Sequence, residues 1–298
     1  MRSFTAVVNP VAGGGRAMAV LLPVARLLRE AGATVDVRHS RSLEHARMLA
    51  RDAADDGDVV LAVGGDGAVG ALAGPVVDAR GVLGIVPAGR GNDFARQMGI
   101  SRDPARIAEL LLHAPDTSVD VISVAGSVVV CSVHAGVDSV ATALVNRARV
   151  VPGALAYPAA ALGALLAWRP ACYTLDLDGS LYRFRGYTVV AANSGYYGHG
   201  LHVAPSARVD DGLLDVVAVH HVPRRTFLAG FRQLPSGGHV HRPEVQVLRG
   251  RELRLQADRP LHLYGDGEPI TPLPATARIR PSALRLLAPP PAAAGHPG

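Results

Sequence analysis

Residues 64–67 read Gly64-Gly65-Asp66-Gly67 and follow an unbroken apolar run at 59–63. Glycines allow backbone conformations that side chains forbid and let a ligand approach the main chain. Amides freed at such a turn attract anions, phosphate above all. Asp66 repels phosphate unless a divalent cation or a reacting hydroxyl lies between them. The same residues could instead form a tight strand-to-helix turn that holds nothing. Two more glycine turns follow apolar runs, Gly13-Gly14-Gly15 after 5–8 and Gly89-Arg90-Gly91 after 82–86. Two acidic stretches lie further on. Asp210-Asp211-Gly212-Leu213-Leu214-Asp215 offers carboxylates and main-chain carbonyls to a hard cation, or is a solvated turn. Gly265-Asp266-Gly267-Glu268-Pro269 sets two acids around a glycine, which suits a general base with an electrostatic partner, or an ordinary turn.

The composition narrows the chemistry. Apolar residues make up 49% of the 298, enough for a sizeable core in one large or two ordinary domains. All 30 basic residues are arginine. Without lysine, a Walker A phosphate loop, the protein-kinase strand lysine and Schiff-base chemistry are all excluded. The net charge of +5 suits anionic substrates or a lipid surface. With 4% aromatics and no arginine cluster, nucleic acid is not an expected partner. Cys131 and Cys172 have no metal or redox spacing and read as buried thiols. His239-x-His241 alone makes no zinc site. Met1-Arg2-Ser3-Phe4 leads straight into a strand, so no signal peptide is expected. Residues 150–168 are apolar but carry Pro152, Pro158 and many alanines, and read as a buried or surface-facing helix rather than a membrane span.

The elements that must position these turns alternate. Strands are expected at 5–8, 34–39, 59–63 and 82–86. Helices are expected up to about 31, from Ser42 to about 54, up to 77, and after a cap at Asn92 or Asp93. This βαβαβαβ order predicts a doubly wound parallel sheet with helices on both faces. Ligands in such sheets bind beyond the carboxyl ends of the strands, so the three glycine turns gather on one rim. From about 116 the chain breaks into short strand-like runs separated by turns such as Asp178-Gly179, which predicts a β-rich antiparallel second domain with helical stretches near 138–168 and 223–233. The expected division is 1–115, 116–288 with the final strand free to return to the first domain, and a disordered Pro/Ala-rich tail at 289–298.

Taken together these residues resemble the diacylglycerol kinase catalytic family, lipid kinases that include the sphingosine kinases and share their nucleotide domain with NAD kinases. The resemblance rests on Asn9-Pro10-x-Ala12-Gly13, Gly64-Gly65-Asp66-Gly67, Pro87-x-Gly89-x-Gly91-Asn92-Asp93-Phe94-Ala95, Asn193-x-x-Tyr196-Tyr197-x-x-Gly200, Ala204-Pro205-x-Ala207, Asp211-Gly212-Leu213-Leu214-Asp215 and Asp266-Gly267-Glu268-Pro269. They occur in the family's order over residues 4–287. The resemblance implies an ATP-dependent kinase that uses Mg²⁺ and acts on a hydroxyl of a lipid such as diacylglycerol, with ATP between the two domains. It implies nucleotide contacts from Asn9, Pro10, Gly13, Ser40, Gly64, Gly65, Gly67, Ala68, Gly89, Arg90, Asn92 and Asp93, with Asp66 in the Mg²⁺–phosphate network. Asp211 would bind a structural Mg²⁺ with the carbonyls of Arg208 and Leu213. Glu268 would take the acceptor's proton, with Asp266 beside it. A cytoplasmic protein touching the inner membrane face through its lipid is implied, and a homodimer is left open.

The sequence departs from that pattern at three places. Ala68 and Arg90 stand where the family has threonines, and Ala71 where it has a glutamate. Arg90 could supply a cation to the phosphates or obstruct the nucleotide. Two other readings follow: a kinase of a soluble metabolite, and a catalytically silent nucleotide- or lipid-binding protein. The departures favour the silent protein, and Asp66, Asp266 and Glu268 oppose it.

Overall fold

The computed structural model describes residues 2–9, 15–147, 163 and 167–289. Pro10, Gly13, most of the apolar stretch 150–168 and the tail beyond 289 lie outside them.

The first part runs β1 (Ser3–Val8), α1 (Arg16–Glu30), β2 (Thr34–His39), α2 (Leu43–Asp55), β3 (Val59–Gly64), α3 (Asp66–Asp78), β4 (Val82–Pro87), α4 (Asp93–Gln97) and α5 (Pro104–His113). β2, β1, β3 and β4 pair in that order, all parallel. Alternate residues of a strand face opposite sides of its sheet, and each side has its own core. Phe4, Ala6, Leu61 and Val63 pack with Leu21 and Leu28 of α1 and Ile107 and Leu111 of α5. Val7, Val60, Ala62 and Ile85 pack with Ala50 and Ala53 of α2 and Leu72 and Val76 of α3. Ser42 caps α2 as its position predicts, its hydroxyl accepting from His45 N at 3.0 Å.

The second part is β5 (Asp116–Val124), β6 (Ser127–Val129), β7 (Ser132–Gly136), α6 (Val137–Arg147), β8 (Ala171–Leu177), β9 (Ser180–Ala192), β10 (Tyr196–Tyr197), β11 (Leu201–His202), β12 (Leu214–His220), α7 (Arg224–Phe231), β13 (Val245–Gly250), β14 (Glu252–Ala257), β15 (His262–Gly265), β16 (Glu268–Pro272) and β17 (Ala275–Leu287). Its pairings are antiparallel, around a core that includes Val133, Tyr173, Leu175, Val189, Val216 and Leu255.

The apolar run at 128–133 is divided between two strands, β6 and β7, because the chain turns at Val130-Cys131 to meet the carboxylate of Asp266. The last strand, β17, is 13 residues long. It pairs with β14 and β5 and, at Arg285 and Leu286, runs parallel to β4. One continuous sheet therefore passes through both parts. Cys172 is exposed: it lies on β8 between the inward-facing Ala171 and Tyr173, and only Cys131 is a buried thiol.

Candidate active site

The glycine turns after β3 and β4 lie side by side. Ala88 N donates to Gly64 O at 2.8 Å. A Cβ on Gly65 would stand 3.2 Å from Gly89 Cα, closer than side chains normally come. Glycine is required here because two backbones touch. Asn92 adopts φ 53° and does not cap α4. Its amide closes the turn instead, accepting from Gly89 N and donating to Gly89 O, both at 2.9 Å. Asp66 supplies the cap from the neighbouring turn, its Oδ1 accepting from Phe94 N at 2.9 Å.

Asp93 is 3% exposed, and its Oδ2 accepts from His199 N at 2.9 Å across the boundary with the second part. Its Oδ1 is buried with no partner. Burial first, and the charge of Asp66 second, raise its pKa. The two carboxylates converge: a Cβ on Gly91 would lie 3.1 Å from Asp66 Oδ2 and 3.2 Å from Asp93 Oδ2. Mg²⁺ is commonly held by one or two carboxylates together with substrate phosphates. A facing pair of carboxylates, one with a bare oxygen, fits a Mg²⁺ brought in by a nucleotide.

Asp266 sits at φ 47° in the tight turn between β15 and β16. Its carboxylate accepts from Val130 N at 2.8 Å and Cys131 N at 2.9 Å. It also lies against α3, where a Cβ on Gly70 would come within 2.7 Å of Oδ2. Burial pushes its pKa up to about 7, against the backbone N–H bonds that hold it down, and the charge of Asp66 adds repulsion. Asp266 therefore ties the hairpin into place at the nucleotide side. Glu268, two residues on, is exposed and lines the cleft.

That cleft measures about 980 Å³, and its walls include Asn9, Ser40, Asp66, Arg90, Asp93 and Glu268. Gly65, Gly67, Ala68, Gly89 and Asp266 also reach it. Gly64 and Asn92 do not, and shape the turns from behind. Ala71, in place of the expected glutamate, is 8% exposed and belongs to the core beneath. Arg90 is exposed on the rim.

Asp211 does not line this cleft. The guanidinium of Arg249 bonds its Oδ2 and also reaches the buried Asp215 at 3.3 Å. Asp215 accepts from Ser206 Oγ at 2.5 Å, and Arg208 turns its side chain to Asp210 at 3.1 Å. Positive charge is thus already supplied by the chain itself. Among the described residues no group of three or more metal-ligating side chains comes together.

One feature was not legible in the sequence. A second cavity, about 170 Å³ and almost wholly apolar, lies between β9, β12 and α7, with Val190, Val217, Val219, Phe227, Leu228 and Phe231 in its walls. Tyr197 lines both the cavity and the cleft. The signal was the spacing Phe227-Leu228-x-x-Phe231 on a short helix, the periodicity of an apolar face.

Fold and site define a two-part α/β protein in which a glycine-turn cleft and an apolar chamber share Tyr197 in their walls. Residues 3–124 match the diacylglycerol kinase catalytic domain, and residues 131–288 match the YegS C-terminal NAD kinase beta sandwich-like domain. A diacylglycerol kinase of Mycobacterium tuberculosis is 30% identical over 96% of this chain and 94% of its own length. The "Probable lipid kinase YegS-like" protein of Chromohalobacter salexigens is 29% identical over 88% and 86%. The crystal structure of a diacylglycerol kinase from Bacillus anthracis superposes with a TM-score of 0.72 at 17% identity, covering 97% of each chain, a likeness of fold. The chain belongs to the diacylglycerol kinase family of lipid kinases. Among the described residues no helix is long and apolar enough to cross a membrane.

Proposed function

We propose that the protein transfers the γ-phosphoryl group of ATP, as its Mg²⁺ complex, to a hydroxyl of diacylglycerol or a related lipid alcohol. The observation that carries this reading is that Tyr197 lines both a cleft bearing carboxylates and a largely apolar cavity. A soluble acceptor has no use for such a cavity, and a hydrocarbon chain has.

In this reading the turns at Gly65–Gly67 and Gly89–Gly91 receive the phosphates through main-chain amides, with Asn9, Ser40 and Ala68 beside them. Arg90 extends over the rim as a cation in place of a hydroxyl. Asp66 and Asp93 would hold the metal, whose charge would offset that developing on the phosphates. The acceptor oxygen attacks the γ-phosphorus as its O–H proton passes to the Glu268 carboxylate. The bond from phosphorus to the bridging oxygen breaks, and its electrons leave with ADP. Asp266 holds the hairpin that presents Glu268. Of the cavity's walls, Leu228 and Phe231 are also exposed, beside Arg224, Arg225 and Arg232, a combination suited to an anionic lipid surface.

The test is transfer of γ-labelled phosphate to diacylglycerol, monoacylglycerol, a sphingoid base and phosphatidylglycerol, with Glu268→Gln as control. Label on a lipid that disappears in the control is the expected result. ATP binding with no labelled lipid would move the acceptor to a soluble alcohol, and absence of ATP binding would leave a silent protein.

A further inference from the structure

The apolar cavity has polar groups at the end farthest from the cleft. β7, β9, β12 and β13 lie side by side in that order. His134 of β7 lines the cleft, and Val190 and Val217, which follow it across the sheet, line the cavity. In the next row Thr188, Val219 and Val245 carry the wall on to β13. Three strand spacings separate β7 from β13, about 14 Å. At the β13 end His239 and Glu244 enter the wall. His239 stands on the 3₁₀ turn Gly238–His241, which packs against β13.

His239 is 4% exposed, and its Nε2 lies 3.0 Å from Val203 O. A carbonyl only accepts, so Nε2 carries the ring's proton. Burial first, against the bond to Val203, and then the charges of His202 and His241 lower its pKa, so the ring takes no second proton at neutral pH. Nδ1 is therefore an acceptor. It is buried, and none of the described residues donates to it. Buried polar atoms are nearly always paired, and an exception calls for a ligand, a water or a function. Glu244, 7% exposed, is already matched, its Oε1 accepting from Arg242 Nε at 2.5 Å. A cation arriving here would bring an unmatched charge into an apolar space, which is costly. A neutral hydroxyl would bring only the donor that Nδ1 lacks.

We infer that His239, at the inner end of the cavity, is a recognition site for a hydrocarbon chain that bears a hydroxyl remote from its head group. This rests on the reading of the cavity as the place of the acceptor's chain, and adds a requirement on that chain. A plain chain covers Nδ1 and leaves it unpaired. A hydroxyl next to the head group stays on the β7 side, about 14 Å short of β13. A hydroxyl in the far half of the chain arrives at the ring and donates to Nδ1. The cavity then distinguishes hydroxylated from plain chains, whatever head group stands in the cleft.

The test is equilibrium binding to the nucleotide-free full chain, read as displacement of a fluorescent single-chain fatty probe. Three fatty acids of one chain length compete: unsubstituted, hydroxylated beside the carboxyl, and hydroxylated in the far half of the chain. The wild type is expected to bind the third about tenfold more tightly than the other two, the size of pairing one buried acceptor. His239→Gln keeps an amide donor for Val203 O and has no acceptor where Nδ1 was, so the preference disappears. His239→Asn puts an oxygen at the Nδ1 position, and the preference remains. Should the glutamine variant not fold, His239→Phe, which keeps the ring's bulk without either nitrogen, makes the same comparison. Equal wild-type affinity for the three would mean that Nδ1 holds a water only, and would overturn the inference. So would no affinity for any of them, a preference for the hydroxyl beside the carboxyl, or a preference that survives in the glutamine or phenylalanine variant. Failure of the kinase reading shows differently: the chain preference persists while no phosphate is transferred to any lipid.

Discussion

The cleft of about 980 Å³ brings glycine turns and the carboxylates of Asp66, Asp93 and Glu268 into its walls, whereas the cavity of about 170 Å³ is walled chiefly by apolar side chains such as Val190, Val217, Phe227 and Phe231. The cleft depends on residues that are small or missing a side chain, since Gly65 and Gly89 must touch and Gly70 must admit Asp266. The cavity depends on side chains large enough to shed water and spaced widely enough to leave a void. A polar substrate part is recognised where backbone is exposed, and an apolar part where backbone is hidden. The two regions therefore call for different substitutions to disable them.

The largest effect is expected from Glu268→Gln, which should lower phosphoryl transfer by about 10²–10⁴-fold, the usual contribution of a general base. Single-chain lipid affinity, measured by probe displacement, should stay as it was. Next is the reverse case. Replacing the exposed Leu228 and Phe231 by glutamate should raise the lipid KM about tenfold through lost apolar contact, while calorimetric ATP affinity is unchanged. A fall in ATP affinity would mean the two regions are coupled. Arg90→Thr is expected to weaken ATP binding by roughly threefold, as befits an exposed charge, with no change in lipid affinity. Unchanged ATP affinity would remove Arg90 from the phosphate site.

The last effect concerns Asp266 and is read in stability rather than in activity. Its pKa is raised from 3.8 to about 7 by burial. The fold therefore keeps a proton that the unfolded chain has lost. That contribution is fully present below about pH 4, is lost as the pH rises to about 7, and is gone above it. The melting temperature of the wild type should drop by roughly 7 °C more than that of Asp266→Asn between pH 4 and 8. Parallel pH profiles would show that Asp266 stays ionised throughout.

Much of the cleft was legible in the sequence because its signals are local. An apolar run that stops at glycines announces a buried strand and its turn, and parallel strands must bring such turns to one rim. Ser42 as a cap is equally local. What could not be read depended on partners far along the chain. Asp266 sits beside Glu268 in the sequence, but its work is done at Val130 and Cys131, 136 and 135 residues away. The ion pair of Asp211 with Arg249, 38 residues on, likewise has no local signal.

β17 gives the chain an order of assembly as well as a shape. It is the last strand, and Arg285 and Leu286 cover the outer edge of β4, a strand of the first part. During synthesis, β1 to α5 emerge long before that cover exists. Until residue 286 leaves the ribosome, β4 is a second open edge of unpaired amides and carbonyls besides β2, the kind of edge to which other chains add. The nucleotide half is therefore not a separable module. Truncating the chain before β17 should give a product that aggregates rather than a smaller domain, and the slow step in folding should be the closing of this most distant pairing.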